Sequence, residues 1–266
     1  MMTTKPQIQK VNDYIVDWLQ RYAQQSGVKG FVVGVSGGID SAVVSYLCAQ
    51  TGLETLCVEM PIHQAASQVS RGKAHIALLQ SKFANVSQAE VDLTTTFEGL
   101  KQSLPEVNDQ SKLNLALANT RARLRMTALY YYAGIHSLLV AGTGNKIEDF
   151  GIGFFTKYGD GGVDISPIAD LMKSEVYALA DYLGVADAIR QAPPTDGLFG
   201  DERSDEDQIG ANYDELEHAM LAAEQGKTVD DFEGRAKEVM KIYTRLNRIN
   251  QHKINPIPTC VIPKDL

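Results

Sequence analysis

The chain has 266 residues, 44% of them hydrophobic and 22% charged, with a formal net charge of −8. That balance is ordinary for a soluble globular protein with a core of normal size, and the acidic excess argues against a nucleic acid gripped through its phosphates, while leaving room for a small phosphorylated ligand at a local basic site. No run approaches the ~18 consecutive apolar residues of a membrane span, and residues 1–10 lack the apolar centre of a secretion signal.

Residues 6–25 set Ile8, Val11, Ile15, Leu19 and Tyr22 at helical spacing, which predicts an amphipathic helix ended by Gly27 and Gly30. Phe31 to Val35 is a short, β-branched apolar run and reads as a buried parallel strand. A polar Gly-rich turn, 36–41, leads into a helix over 42–50. The alternation continues with a strand at 55–60, a helix at 65–82, a strand at 85–91, a long helix at 113–134 and a fourth strand at 137–141. Strands alternating with helices predict an α/β fold, a doubly wound parallel sheet, in which ligands bind beyond the carboxyl ends of the strands. Both Gly-rich segments, 36–41 and 142–146, fall at such ends.

Beyond residue 150 the glycines at 151, 153, 159, 161 and 162 predict a loop, and helices follow at 170–183, 212–224 and 231–250. The stretch 193–210 is rich in Pro, Gly and acidic residues, and is long enough to serve as a lid. The expected organisation is one domain, an α/β core over about 28–190 with a C-terminal lid and helical extension over about 191–266. Cys48, Cys57 and Cys260 have no CxxC spacing, so reduced thiols of a cytoplasmic protein, packed as small hydrophobes, are expected in place of a disulfide framework or zinc site.

Ser36-Gly37-Gly38-Ile39-Asp40-Ser41 leaves a strand and opens a helix. Two glycines let backbone N–H groups turn toward an anion, and the helix start adds its positive dipole end. Ser36 and Ser41 add hydroxyl donors; Asp40 would repel a phosphate unless a cation such as Mg²⁺ bridges the two. The turn has neither the lysine of a Walker A loop nor the GxGxxG spacing. A plain strand-to-helix turn is the competing reading. Downstream, Gly142-Thr143-Gly144-Asn145-Lys146-Ile147-Glu148 is a second polar turn, and in Gly153 to Ile165 four glycines, two aspartates and a lysine interrupt an otherwise apolar run, which structure alone explains poorly.

Val35 to Ser41 resembles the pyrophosphate loop of the N-type ATP pyrophosphatases, which cleave ATP between the α and β phosphates and adenylate a substrate; the loop picks the superfamily and no member of it. The segments 142–148 and 153–165 closely resemble the GTGNKxE and GFFTKYGDGGxDI motifs of the NAD synthetases, and the resemblance runs from the first strand to the C-terminus. It implies a Rossmann-like fold of the adenine nucleotide α-hydrolase type and an ATP-dependent amidation of deamido-NAD by ammonia, through an acyl-adenylate, giving NAD, AMP and pyrophosphate.

Residue by residue, the resemblance implies that Ser36, Gly37, Gly38, Ile39, Asp40 and Ser41 hold the ATP phosphates with Thr143, Lys173 and Thr195, and that Asp40 and Glu148 bind Mg²⁺. Arg123, Lys157, Asp164, His252 and Lys253 match positions that bind the dinucleotide, and Asp160 matches an aspartate proposed to assist ammonia; Asp160 and Lys173 are thus the catalytic pair. Each has a bland alternative: Arg121, Arg123 and Arg125 as the solvated face of a helix, Lys173 as a surface lysine, His252 as packing, Glu148 as a helix-start acid. Glu59 stands near where relatives often carry an arginine, with Arg71 as a possible substitute, and Arg121 replaces a family lysine.

About 28 residues precede the first strand, too few for the amidohydrolase region of glutamine-using relatives, so free ammonia is the expected nitrogen source. The resemblance also implies a homodimer, with which the aromatic-rich 113–134 helix is compatible. Two rivals differ in what they require. A tRNA-thiolating pyrophosphatase calls for basic patches and cysteines near the site, and a regulatory nucleotide-binding module needs neither Glu148, Lys173 nor the 153–165 run.

Overall fold

The computed structural model describes residues 4–64, 66–194 and 205–265. In chain order the elements are α1 (Lys5–Ser26), β1 (Gly30–Gly34), α2 (Ile39–Gln50), β2 (Glu54–Glu59), α3 (Ala66–Lys82), β3 (Val86–Glu90), α4 (Thr94–Gln102), α5 (Gln110–His136), β4 (Leu138–Val140), a π-helical turn (Ile147–Ile152), α6 (Lys173–Leu183), α7 (Asp187–Arg190), α8 (Asp205–Ile209), α9 (Tyr213–Glu224), a 3₁₀ turn (Val229–Asp231), α10 (Gly234–Ile249) and α11 (Gln251–Ile254). The four strands form one parallel sheet in the order β3-β2-β1-β4. The predicted doubly wound α/β fold is therefore the observed one.

Side chains on successive strand residues point to opposite faces. Phe31, Val33 and Val35 face the layer of α1, α2 and α6, whereas Val32, Leu56 and Val58 face α4 and α5. Both faces are covered, which is why β1 reads as a continuous apolar run without alternation. Within the first layer His75 of α3 is buried and meets the Ser45 hydroxyl of α2 at 2.9 Å, tying the two helices together.

A third apolar cluster joins the π turn to α9 and α10 through Ile147, Ile152, Leu216, Met220 and Val239. The π turn, α9 and α10 are helical, in line with the helical character read for the C-terminal region.

Three local departures stand out, and the first two have physical causes. α4 was not expected, since Thr94-Thr95-Thr96 is a β-branched run; the Asp92 carboxylate accepts from the Thr94 N–H at 2.8 Å, and one buried anchor, Phe97, holds the helix to the core. β4 is shorter than expected because Ser137 adopts a left-handed φ of 58° that ends α5, and Ala141 makes only a bridge to Ile165. On α1 the inner face is Ile8, Asn12, Ile15, Leu19 and Ala23; Tyr22 is exposed. Of the cysteines, Cys48 and Cys57 are buried as expected, but Cys260 is exposed.

Candidate active site

The first Gly-rich turn leaves β1 and enters α2. Its conformation is set from within: Ser41 Oγ donates to Gly38 O at 3.0 Å, the Gly38 N–H donates to Ser36 Oγ at 3.2 Å, and the Ser36 N–H donates to Ser41 Oγ at 3.3 Å. Gly37 takes φ +80°, and a Cβ there would lie 2.5 Å from the Gln68 carbonyl oxygen of α3. The close approach of α3 therefore demands glycine at that point. The first-turn amides of α2 have no acceptor within the helix and carry its positive dipole end.

Asp40 on α2, Glu148 on the π turn and Lys173 at the start of α6 meet beside this turn. The Lys173 ammonium donates to Asp40 Oδ2 at 2.6 Å and to Glu148 Oε1 at 3.0 Å, with its side chain only 3% exposed. Asn145 Nδ2 donates to Asp40 Oδ1 at 3.1 Å, and the Tyr213 hydroxyl of α9 donates to Glu148 Oε1 at 2.6 Å. These residues are distant in sequence; the sheet brings them together because the turns after β1 and β4 sit at the same rim.

Burial works against charge at all three groups, but its outcome differs. Burial pushes the Asp40 carboxyl above its ordinary range, and Lys173 offsets only part of that. At Glu148 burial also acts upward, but Lys173 and the Tyr213 hydroxyl outweigh it and hold its pKa below the usual value. Lys173 is held protonated against burial by the two carboxylates. Asp149, next on the π turn, is pushed well up by burial and by Glu148, Asp160 and Asp40. One ammonium between two ionised carboxylates leaves the triad one positive charge short of neutrality, which suits a further cation. Magnesium is commonly held by one or two carboxylates plus substrate phosphates. The pair Asp40 and Glu148 fits that pattern, and no group of three or more His, Cys, Asp or Glu side chains converges among the described residues.

One cleft is lined by the 36–41 turn, Thr143, Glu148, Asp160 and Lys173, so the two motif regions face the same space. Arg71 of α3, whose Nε donates to Gly37 O at 3.3 Å, and Arg125 of α5, whose Nε donates to Met60 O at 3.0 Å, complete its wall. The three arginines of α5 thus diverge. Arg121 stacks on the Phe97 ring at 4.3 Å, the exposed Arg123 donates to Lys157 O at 3.3 Å, and Arg125 turns to the cleft. The sequence offered no means of choosing Arg125; its place depends on the bend of the chain at Met60.

The 153–165 loop owes much of its composition to packing. The Thr156 hydroxyl donates to Asn119 of α5 at 2.7 Å, the Thr156 N–H donates to Asp160 Oδ1 at 3.0 Å, and a Cβ on Gly159 would lie 2.8 Å from that of Ala122. Asp164 Oδ2 accepts from the Val140 N–H of β4 at 2.8 Å and its Oδ1 from the Tyr130 hydroxyl of α5 at 3.0 Å, so it ties the loop to both elements. Lys157 donates to the His252 carbonyl, and Lys253 donates to Phe155 O at 2.7 Å while lying 5.1 Å from the centre of the Phe155 ring. Arg123, Lys157, His252 and Lys253 therefore form a second basic group around 154–158, beside the cleft. Thr195 and most of the 193–210 stretch lie outside the described residues.

A Gly-rich turn at a helix start, an acid–lysine–acid triad and a parallel sheet that presents both at one rim fit an ATP-using α/β enzyme of the pyrophosphatase type. The profile of the NAD synthase family matches residues 11–257. The chain belongs to the NAD synthase family and is a ligase of NAD biosynthesis; the family reaction is the ATP-dependent amidation of deamido-NAD.

Among its relatives, the NH(3)-dependent NAD(+) synthetase of Carboxydothermus hydrogenoformans is 36% identical over 240 residues, covering 90% of this chain and 92% of that protein. A structure of NMN synthetase from Francisella tularensis superposes with a TM-score of 0.81 at 30% identity, covering 97% of this chain and 98% of the other. The NH3-dependent NAD synthetase from Campylobacter jejuni gives a TM-score of 0.75 at 25% identity, covering 96% and 99%. No helix among the described residues is long and apolar enough to cross a membrane.

Proposed function

We propose that this chain joins ammonia to deamido-NAD in the cytoplasm, with the 36–41 turn, Thr143 and Lys173 holding the ATP phosphates and Asp40 and Glu148 holding Mg²⁺. The observation that supports it most is the buried Lys173 ammonium poised between Asp40 and Glu148 beside the Gly-rich turn. Loop amides and Lys173 would bind the charge that gathers on departing pyrophosphate. Mg²⁺, when bound, neutralises phosphate charge and polarises the α-phosphorus.

The nicotinate carboxylate attacks that phosphorus and pyrophosphate leaves. Ammonia then attacks the acyl carbon, AMP leaves, and one proton is lost. Asp160 lines the cleft and is the proposed acceptor that attracts ammonium and takes its proton. Arg123, Lys157, Asp164, His252 and Lys253 are the proposed dinucleotide contacts, with Thr195 on the ATP side. The stretch 193–210 is proposed to close over the acyl-adenylate and exclude water.

The test is direct: ATP, Mg²⁺, deamido-NAD and ammonium should yield NAD, AMP and pyrophosphate in equal amounts, and Asp160→Asn should lower the ammonia-dependent rate by about 10²-fold. Wild-type turnover in the variant removes Asp160 from the mechanism; pyrophosphate release without deamido-NAD removes the whole reading. The likeness to the Francisella tularensis NMN synthetase favours a second reading, in which the mononucleotide is the better substrate. The same assay with nicotinate mononucleotide in place of the dinucleotide separates the two by kcat/KM.

The chain is proposed to act as a homodimer. Tyr131 and Ile135 of α5 are 64% and 59% exposed, and aromatic surface of this kind is enriched at subunit interfaces. Light scattering at micromolar concentration should give twice the chain mass of 29.1 kDa; a monomer's mass rejects the dimer.

A further inference from the structure

The start of α6 and the π turn are both gripped by one face of α9. Tyr213, the first residue of α9, donates its hydroxyl to Glu148 Oε1 at 2.6 Å, and its ring centre lies 4.9 Å from the Lys173 ammonium. One helical turn on, Glu217 accepts from the Ser174 N–H at 2.8 Å and from the Ser174 hydroxyl at 2.7 Å. Both are buried, 6% and 4% exposed. A carboxylate buried that deeply needs charge-assisted donors, and here the donors are the backbone and side chain of the residue directly after Lys173.

We infer that Tyr213 and Glu217 are positioning residues for the metal–triphosphate site: Tyr213 fixes the carboxylate of Glu148, and Glu217 fixes the backbone from which Lys173 projects. The inference rests on the proposed roles of Glu148 and Lys173. The Tyr213 hydroxyl and the Lys173 ammonium both bond Oε1 of Glu148, so neither of them occupies its other oxygen, Oε2. The hydroxyl is the donor in that bond and Glu148 the acceptor. Second partners of this kind orient a metal-binding carboxylate in the way that a carboxylate orients a metal-bound histidine. A plain helix cap explains Glu217 but gives no reason for the Tyr213 hydroxyl to seek Glu148, nor for the two side chains to share a face.

The test measures Mn²⁺ binding by electron paramagnetic resonance in the presence of α,β-methylene-ATP, which cannot be cleaved to pyrophosphate, together with nucleotide affinity at saturating Mn²⁺ by calorimetry. Glu148→Gln reports on the underlying reading and should weaken Mn²⁺ binding by tenfold or more, about the loss typical of a removed ligand partner. Tyr213→Phe keeps the ring over Lys173, and should weaken Mn²⁺ binding about tenfold while leaving the melting temperature near wild type. Glu217→Gln should weaken nucleotide binding about tenfold, and it carries the test alone if Tyr213→Phe fails to fold. Should Glu148→Gln weaken Mn²⁺ binding while Tyr213→Phe and Glu217→Gln match wild type in both titrations, α9 is only scaffolding and the inference is overturned. If Glu148→Gln itself binds Mn²⁺ as wild type does, the fault lies in the assigned ligand, a different failure read from a different variant.

Discussion

Lys173→Met is expected to lower kcat/KM by about 10²- to 10³-fold, the usual loss when one fixed donor to developing charge is removed. The same change should destabilise the metal-free protein by about 3 to 5 kcal/mol, because it strands buried partners of a broken ion network. Methionine fills much of the lysine volume, so the loss reports the charge more than the space. With the ammonium gone, Asp40 and Glu148 are left buried together without the cation that offset burial at both.

Two further readings make this more than a generic core defect. A carboxyl whose folded-state pKa lies above its unfolded value takes up a proton on folding, so stability in the variant should rise as pH falls from 7 toward 5. Added Mg²⁺ should likewise raise the variant's melting temperature by more than it raises that of wild type. A variant with wild-type stability at pH 7 and no response to either treatment would falsify the buried triad.

Gly37→Ala is expected to raise the KM for ATP at least tenfold and to cost about 1 to 3 kcal/mol of stability. The left-handed backbone alone costs a Cβ-bearing residue about 1 kcal/mol. The rest comes from overlap, since the new methyl would sit 2.5 Å from the Gln68 carbonyl oxygen and 3.2 Å from the Gly72 nitrogen, both backbone atoms of α3. Relief requires α3 to move away from the turn, which would open the amide cradle. Gly27→Ala is the matched control: its φ is +66° with nothing within 4 Å of the added carbon, and it lies at the end of α1 away from the cleft. The control should carry the backbone cost with an unchanged KM. Equal KM values for the two variants would show that α3 does not brace the turn.

Much of this site is legible in the sequence, for a specific reason. Turns that grip phosphate must be built from glycine and small hydroxyls at strand ends, so the 36–41 segment declares itself locally. Lys173 and Glu148 were legible only through family resemblance; on composition alone each passes for a surface residue of a helix start, yet the side chain of Lys173 is 3% exposed. What stayed hidden depends on which helix face meets which partner. Tyr213 and Glu217 read as ordinary positions of an amphipathic helix, and nothing local ties them to residues 65 and 43 positions earlier. Asp164 is read as a ligand contact, whereas it also holds the β4 backbone through one oxygen and Tyr130 of α5 through the other, because a carboxylate's hydrogen-bonding partners across the fold leave no local trace.

The lysine held between two acids has a consequence for how the protein meets ions in its surroundings. A divalent ion arriving alone would have to share both carboxylates with an ammonium group already bonded to one oxygen of each, and it brings no anion to offset the crowded positive charge. A cation that travels with a triphosphate would bring that anion with it, within reach of the same lysine. On this geometry a metal escorted by nucleotide is expected to bind more tightly than a bare ion.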